Sequence, residues 1–350
     1  MPRPLHKDYR YYLKTNLFKS VTSFHKLEKR IENLQAIKSK SAETNKGDAM
    51  EVFVEALLNT DETIAAKKVF PSLKQTPAII RKKLNVKPKD KGIDGIFINK
   101  EDEIVAYQVK FKTGREKVPY PEIAKFNNQS KLADKRYLIG NSNKIHEEYI
   151  NYDRNKNLSF KGYDFDNLSE YQILKAISWL KQKTIKYKKS IPDPRYQTKI
   201  IEDVVLEFKT KDRATMLMAC GSGKTLVAMW IAQKINPKIV VVFVPSLALI
   251  KQFNDEWQKE EPFKNVAKKF ICSSLGDISE YDDQVVTQEE VPFEITTNYL
   301  IVRKFLNNSF NGTKIIYCTY QSSRVLKKAM TAKHQIDFAI FDEAHRTTQY

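Results

Sequence analysis

The sequence predicts two α/β domains in series, the second built on a doubly wound parallel sheet. Three observations carry this. After Tyr196, near-continuous apolar runs (Lys238–Val244, Lys314–Thr319 and Asp337–Phe341) alternate with helical stretches. Runs without polar alternation are strands buried on both faces, the mark of a parallel sheet. Before residue 181 the pattern differs: two short strands joined by a tight turn lie between helices. A chain of 350 residues, 41% hydrophobic and 29% charged, also suits about two domains of ~150 residues each.

Residues 1–40 read as a basic helical segment, with Leu13, Leu17 and Val21 at spacing four, then Leu27, Ile31 and Leu34. The first domain is expected over 41–180. Ser41 or Thr44 can cap a helix whose apolar face is Met50, Phe53, Val54, Leu57 and Leu58, with Gly47 loosening its entry. Residues 92–98 and 103–111 read as a hairpin turning at Asn99-Lys100-Glu101-Asp102. Pro119 and Pro121 open a helix to about Leu132, and Arg136–Ile139 is a further strand. The basic stretch 181–193, closed by Pro192 and Pro194, reads as a linker. From residue 194 a helix (Gln197–Phe208), a strand (Thr215–Met218), a Gly-rich loop and a helix (Leu226–Ile235) follow.

Charge is unevenly placed. Residues 1–190 hold 39 Lys and Arg against 23 Asp and Glu, a net of +16 out of the chain's +18. A first half that basic reads as a polyanion-binding surface, most simply for nucleic acid. No apolar run is long enough to span a membrane, and the N-terminus has no secretory leader pattern. Three widely spaced cysteines without a CxxC pattern suit a reducing cytoplasm and argue against a zinc or disulfide framework. His6, His25, His146 and His334 show no ligand spacing and read as surface or core residues.

Two constellations carry chemistry. In the second half, Gly221-Ser222-Gly223-Lys224-Thr225 sits between a predicted strand and a helix, the context of a phosphate-binding loop. Lys224 would reach the β- and γ-phosphates and Thr225 would ligate Mg²⁺. Asp342 would hold the same ion and Glu343 would polarise the attacking water. These residues resemble the superfamily 2 helicases and translocases. Tyr196-Gln197 is similar to their adenine-sensing element. Val244–Leu249 and Cys318–Ser323 are similar to two of their DNA-contacting motifs. Asp342-Glu343-Ala344-His345-Arg346-Thr347-Thr348 resembles the acidic box of restriction-enzyme motors. The resemblance implies a RecA-like lobe, ATP, and tracking on double-stranded DNA.

In the first half the chemistry lies in Glu51, Asp94, Gln108 and Lys110. Period-two alternation puts Gln108 and Lys110 on one face of a strand. A carboxylate, an amide oxygen and an ammonium could then meet, with Asp94 and Gln108 holding Mg²⁺ and Lys110 orienting water or facing the phosphate. Glu51 would add a carboxylate from the preceding helix, with Glu55 as its rival. The pattern resembles the Mrr-like branch of the PD-(D/E)xK nucleases, and so implies a restriction-endonuclease-like α/β/α domain.

The combination resembles the N-terminal part of ATP-dependent restriction enzymes of the type ISP or type I-like kind. That implies Mg²⁺-dependent cleavage of DNA coupled to ATP hydrolysis. It also implies a second RecA-like lobe, a methyltransferase and target-recognition regions as partners on a longer polypeptide. Without a second lobe, residues 1–350 would turn over ATP weakly and not translocate. Two other readings stand beside it: an inactive basic DNA-binding module attached to a repair helicase, and a DNA-stimulated ATPase acting as a remodeller.

Overall fold

Among the described residues two five-stranded sheets organise the chain, one in each of two compact units spanning 1–187 and 188–350. The structure, a computed structural model, describes residues 3–64, 66–146, 148–149, 153, 156–185, 189–273, 291 and 293–344.

In the first unit the sheet is mixed, in the order β1 (Ala66–Phe70), β2 (Gly95–Asn99), β3 (Ile104–Lys110), β4 (Lys135–Gly140), β5 (Asn157–Phe160). The first three strands are antiparallel, and β4 and β5 join in parallel. The β2–β3 turn falls at Asn99–Asp102, where Asn99 Oδ1 accepts the N–H groups of Glu101 and Glu103. This side-chain turn is what Asn supplies at such a position. Val105, Tyr107 and Val109 of β3 enter one core with α3 (Ala42–Thr60) and α7 (Glu170–Leu180). Ile104 and Ala106 enter another core with Ile123 and Phe126 of α5 (Tyr120–Gln129). Helices therefore cover both faces, and α3 is buried along most of its length. Ser41 is the cap of α3, accepting the Thr44 N–H at 3.2 Å. A short helix α4 (Ala78–Leu84) follows β1.

The first forty residues are not a separate helical arm. They form α1 (Tyr9–Lys14) and α2 (Phe24–Glu32), broken between Thr15 and Ser23. Phe24 stacks on Phe165 of α6 (Gly162–Asp166) at 4.3 Å. Leu17 and Val21 are buried from within the non-helical break, so the four-residue spacing reported burial but not helix. Arg115 fastens α2 from the far side, donating to Glu28 and to Asp166.

In the second unit all strands are parallel, in the order β10 (Phe338–Phe341), β6 (Ile239–Val244), β9 (Thr313–Thr319), β7 (Val266–Ile271), β8 (Ile295–Thr296). The helices are α8 (Gln197–Glu207), α9 (Lys224–Ile235), α10 (Leu247–Glu260), α11 (Tyr299–Asn307) and α12 (Ser323–Ala329). Val240, Val242 and Val244 pack with Val227, Trp230 and Trp257, while Val241 and Ile316 pack with Val302 and Leu326. The predicted strand over Thr215–Met218 does not form. Residues 213–219 have no ladder partner among the described residues, and Leu217 is 91% exposed. A strand needs a neighbour for its N–H and C=O groups, and β10, at the edge of the sheet, pairs only with β6 among the described residues.

Candidate functional sites

Each unit brings together residues singled out in the sequence. In the first, Asp94 directly precedes β2, and its N–H bonds to the Tyr107 carbonyl at 3.1 Å. Its Oδ2 accepts the Val109 N–H at 2.7 Å. One backbone group of β3 thus fixes the Asp94 main chain and another fixes its carboxylate. Gly95 permits this, because a Cβ there would overlap the Tyr107 hydroxyl and the Phe70 carbonyl. Gln108 lies between the two β3 residues that bond Asp94. It is buried, and its Oε1 has no hydrogen-bond partner among the described residues. Burial, and then the nearby charge of Glu51, push the Asp94 carboxyl up to about 7 against the pull of the Val109 N–H, Lys110 and His6.

Lys110 has its Nζ 3.7 Å from Glu122 Oε2, and Lys112 lies 2.5 Å from Glu122 Oε1. Glu122, in the first turn of α5, therefore holds both ammonium groups, and the Lys110 charge acts on Asp94. Of the two carboxylates offered by α3, Glu51 is the one whose charge acts most on Asp94. Glu55 is turned away to accept the backbone N–H groups of Leu5 at 2.7 Å and His6 at 3.0 Å. Sequence reading missed Glu122, Lys112 and His6. Lys112 continues the 108–110 alternation and was legible. His6 was not, since 45 residues separate it from Glu51, whose Oε2 it meets at 3.2 Å.

In the second unit the loop enters α9 through Gly221 (φ +73°) and Gly223 (φ +84°), a left-handed backbone that favours glycine. Gln197, at the start of α8, is buried; its Nε2 donates to the Ser222 carbonyl at 2.9 Å and its Oε1 accepts the Asp193 N–H at 2.7 Å. Tyr196 caps that helix and is 41% exposed. Trp257 Nε1 donates to the Thr225 carbonyl at 3.1 Å. Lys224 Nζ lies 3.3 Å from Glu343 Oε1, and this hydrogen bond raises the ammonium's pKa. Asp342 follows β10, with its N–H on the Phe243 carbonyl at 2.9 Å. Burial first, then the Glu343 charge, raise its carboxyl, and Lys224 opposes them. The loop and the acidic pair thus meet across 119 residues of chain. His345 and Arg346–Thr348 lie outside the described residues. Cys220, in the loop, is exposed, whereas Cys272 and Cys318 are buried.

Comparison with known proteins bears on the second unit in sequence and on both in fold. Residues 190–350 match the family model described as type III restriction enzyme, res subunit (ResIII). Similar proteins include the probable helicase A859L of African swine fever virus. In the isolate Tick/South Africa/Pretoriuskop Pr4/1996 and in the strain Badajoz 1971 Vero-adapted it is 28% identical over 158 residues, 45% of this chain and 16% of the viral protein. The chain also resembles the solved structure of the ATP-dependent type ISP restriction-modification enzyme LlaBIII bound to DNA. The TM-score is 0.67 at 21% identity, over 87% of this chain and 20% of that one. The likeness is one of fold, and the chain spans a fifth or less of the proteins it matches. No helix among the described residues is long and apolar enough to cross a membrane.

Proposed function

We propose that the chain is the nuclease and first motor lobe of an ATP-dependent restriction enzyme, cutting DNA phosphodiesters in the first unit and using ATP in the second. The observation that carries the cleavage reading is the buried Asp94 carboxylate, held by the Val109 N–H of β3 and acted on by the charges of Glu51 and Lys110. Two carboxylates and a spare amide oxygen form a hard donor set, and a carboxyl held near 7 has too little positive charge beside it to offset its burial. Asp94, Gln108 and Glu51 would hold Mg²⁺, which when bound supplies charge stabilisation at the scissile phosphate. Lys110, released from Glu122, faces the phosphate or orients the attacking water. Lys112 contributes a second phosphate contact.

In the second unit Lys224 would exchange Glu343 for the nucleotide's phosphates. Thr225 and Asp342 would hold the accompanying Mg²⁺, and Gln197, already bonded to the loop, would sense the adenine. The ResIII match supports helicase-type use of ATP, and the likeness to a type ISP enzyme supports DNA as the partner.

Lys110→Ala tests the cleavage reading. It is expected to abolish Mg²⁺-dependent nicking of supercoiled plasmid while leaving ATP binding intact. Continued nicking by the variant overturns the assignment. Wild-type chain that binds DNA without cutting it supports the inactive-module reading instead.

A further inference from the structure

The segment ahead of α1 is held on α3 by a small set of bonds with one visible outcome. Glu55 is 2% exposed, and its two carboxylate oxygens accept the Leu5 and His6 N–H groups. Gln75 Nε2 donates to the Leu5 carbonyl at 2.7 Å. A buried carboxylate is costly unless its hydrogen bonds are met, and burial does raise this one's pKa. Here both oxygens are committed to fixing two residues of backbone. The side chain so delivered is His6, 4% exposed. Its Nδ1 accepts the Asp8 N–H at 3.2 Å, so in the neutral ring the proton sits on Nε2. That Nε2–H points at Glu51 Oε2, 3.2 Å away.

We infer that His6 is a positioning residue of the Asp94 site: the N-terminal strap, clamped by Glu55, brings its Nε2–H to Glu51 and holds that carboxylate beside Asp94 for a shared divalent cation. The inference rests on the cleavage reading of the same site. Glu51 has a flexible side chain and a like-charged neighbour, so without a donor it would swing away from Asp94. Outer-shell donors to ligating carboxylates act in this way, and their loss typically weakens metal affinity 10- to 100-fold. His6, Asp8 and Asp48 also lie close enough to hold an ion themselves. The Lys40 ammonium already bridges Asp8 and Asp48 in the place a metal cation would take, so that trio is not the cation site.

Mn²⁺ binding to the nucleotide-free full chain, followed by calorimetry and electron paramagnetic resonance, tests this. Binding that disappears in Asp94→Asn defines the site. His6→Ala is expected to weaken that binding 10- to 100-fold. His6→Gln, whose amide nitrogen reaches about as far as Nε2, is expected to recover most of it. Glu55→Gln loosens the strap without touching the site and should reproduce the loss, which keeps the test open if His6→Ala does not fold. Unchanged affinity in His6→Ala overturns the inference and leaves the cleavage reading standing. Equal weakness of His6→Gln and His6→Ala, with nitrogen coupling to Mn²⁺ in the wild type, makes His6 a ligand and overturns the positioning role. Absence of any Asp94-dependent binding in the wild type overturns the cleavage reading and this inference with it.

Discussion

Asp94 sets a pH dependence of its own. A carboxyl whose folded pKa lies above its unfolded value binds its proton more tightly in the folded chain. The resulting stability is fully present below the ordinary Asp range and is lost as pH rises through about 7. In chelator, the wild type should therefore lose melting temperature relative to Asp94→Asn between pH 5 and pH 8. Divalent cation at pH 8 should restore it. Scanning calorimetry of the two proteins, with and without Mg²⁺, checks this; parallel profiles would contradict it. The second unit offers a matching case in Lys224, which rests on Glu343. Lys224→Ala is expected to remove ATP binding, whereas Glu343→Gln frees the ammonium and should tighten ATP a few-fold while stopping hydrolysis. Calorimetry with ATP and Mg²⁺ reads both. The meeting of the glycine loop with the Asp342-Glu343 pair was legible in the sequence, because the phosphate and metal chemistry expected of them ties residue types to short spacings. Gln108 and Lys110 were legible through strand alternation. His6 was not, because a contact over 45 residues made by an N-terminal strap leaves no local pattern.

At the level of elements, apolar runs located the parallel strands β6, β9 and β10, and the strand reading failed where polar residues are buried or a partner is missing. β7 reads Val-Ala-Lys-Lys-Phe-Ile, and both lysines are buried. Lys268 reaches Asn254 at 2.9 Å, so its charge is met inside the fold and the strand is hidden from a hydropathy reading. Thr215–Met218 shows the converse: an apolar stretch after a basic turn, with no neighbour among the described residues to complete its ladder. Lys314 of β9 closes the end of α11, donating to the carbonyls of Phe305, Leu306 and Asn308. Carbonyls at a helix terminus otherwise lack partners within the helix. Lys314→Met keeps the stem and removes the donor, and should cost the second unit about 2 kcal/mol. Urea unfolding followed through Trp230 and Trp257 measures it; an unchanged midpoint would show that water replaces the ammonium.

Across the whole molecule the positive excess belongs to the first unit, and part of it lies beside Asp94. Between residues 81 and 91 there are six Lys and Arg and one acid, Asp90. Lys82, Lys87, Lys89 and Lys91 are exposed and have no ion-pair partner among the described residues. The Lys125 stem on α5 packs at Gly92, adding a further cation to the same flank. On the proposed role, this flank meets DNA phosphates as the strand approaches Asp94. Replacing the four exposed lysines with Gln should weaken DNA binding across sequences. It should also lower the slope of log K against log salt by about 0.9 for each phosphate that is no longer neutralised. Titrations at several salt concentrations give that slope, and an unchanged one would place the DNA elsewhere.

The thiol at Cys220 has a practical consequence. It stands exposed in the Gly-rich loop before α9, while the other two cysteines are buried. A maleimide dye should therefore couple to the native chain at a single position, one residue before Gly221, with no engineering. The chain entering that position carries no ladder bonds among the described residues. The dye would thus sit on the freest side of the loop and report nucleotide arrival as a change in fluorescence.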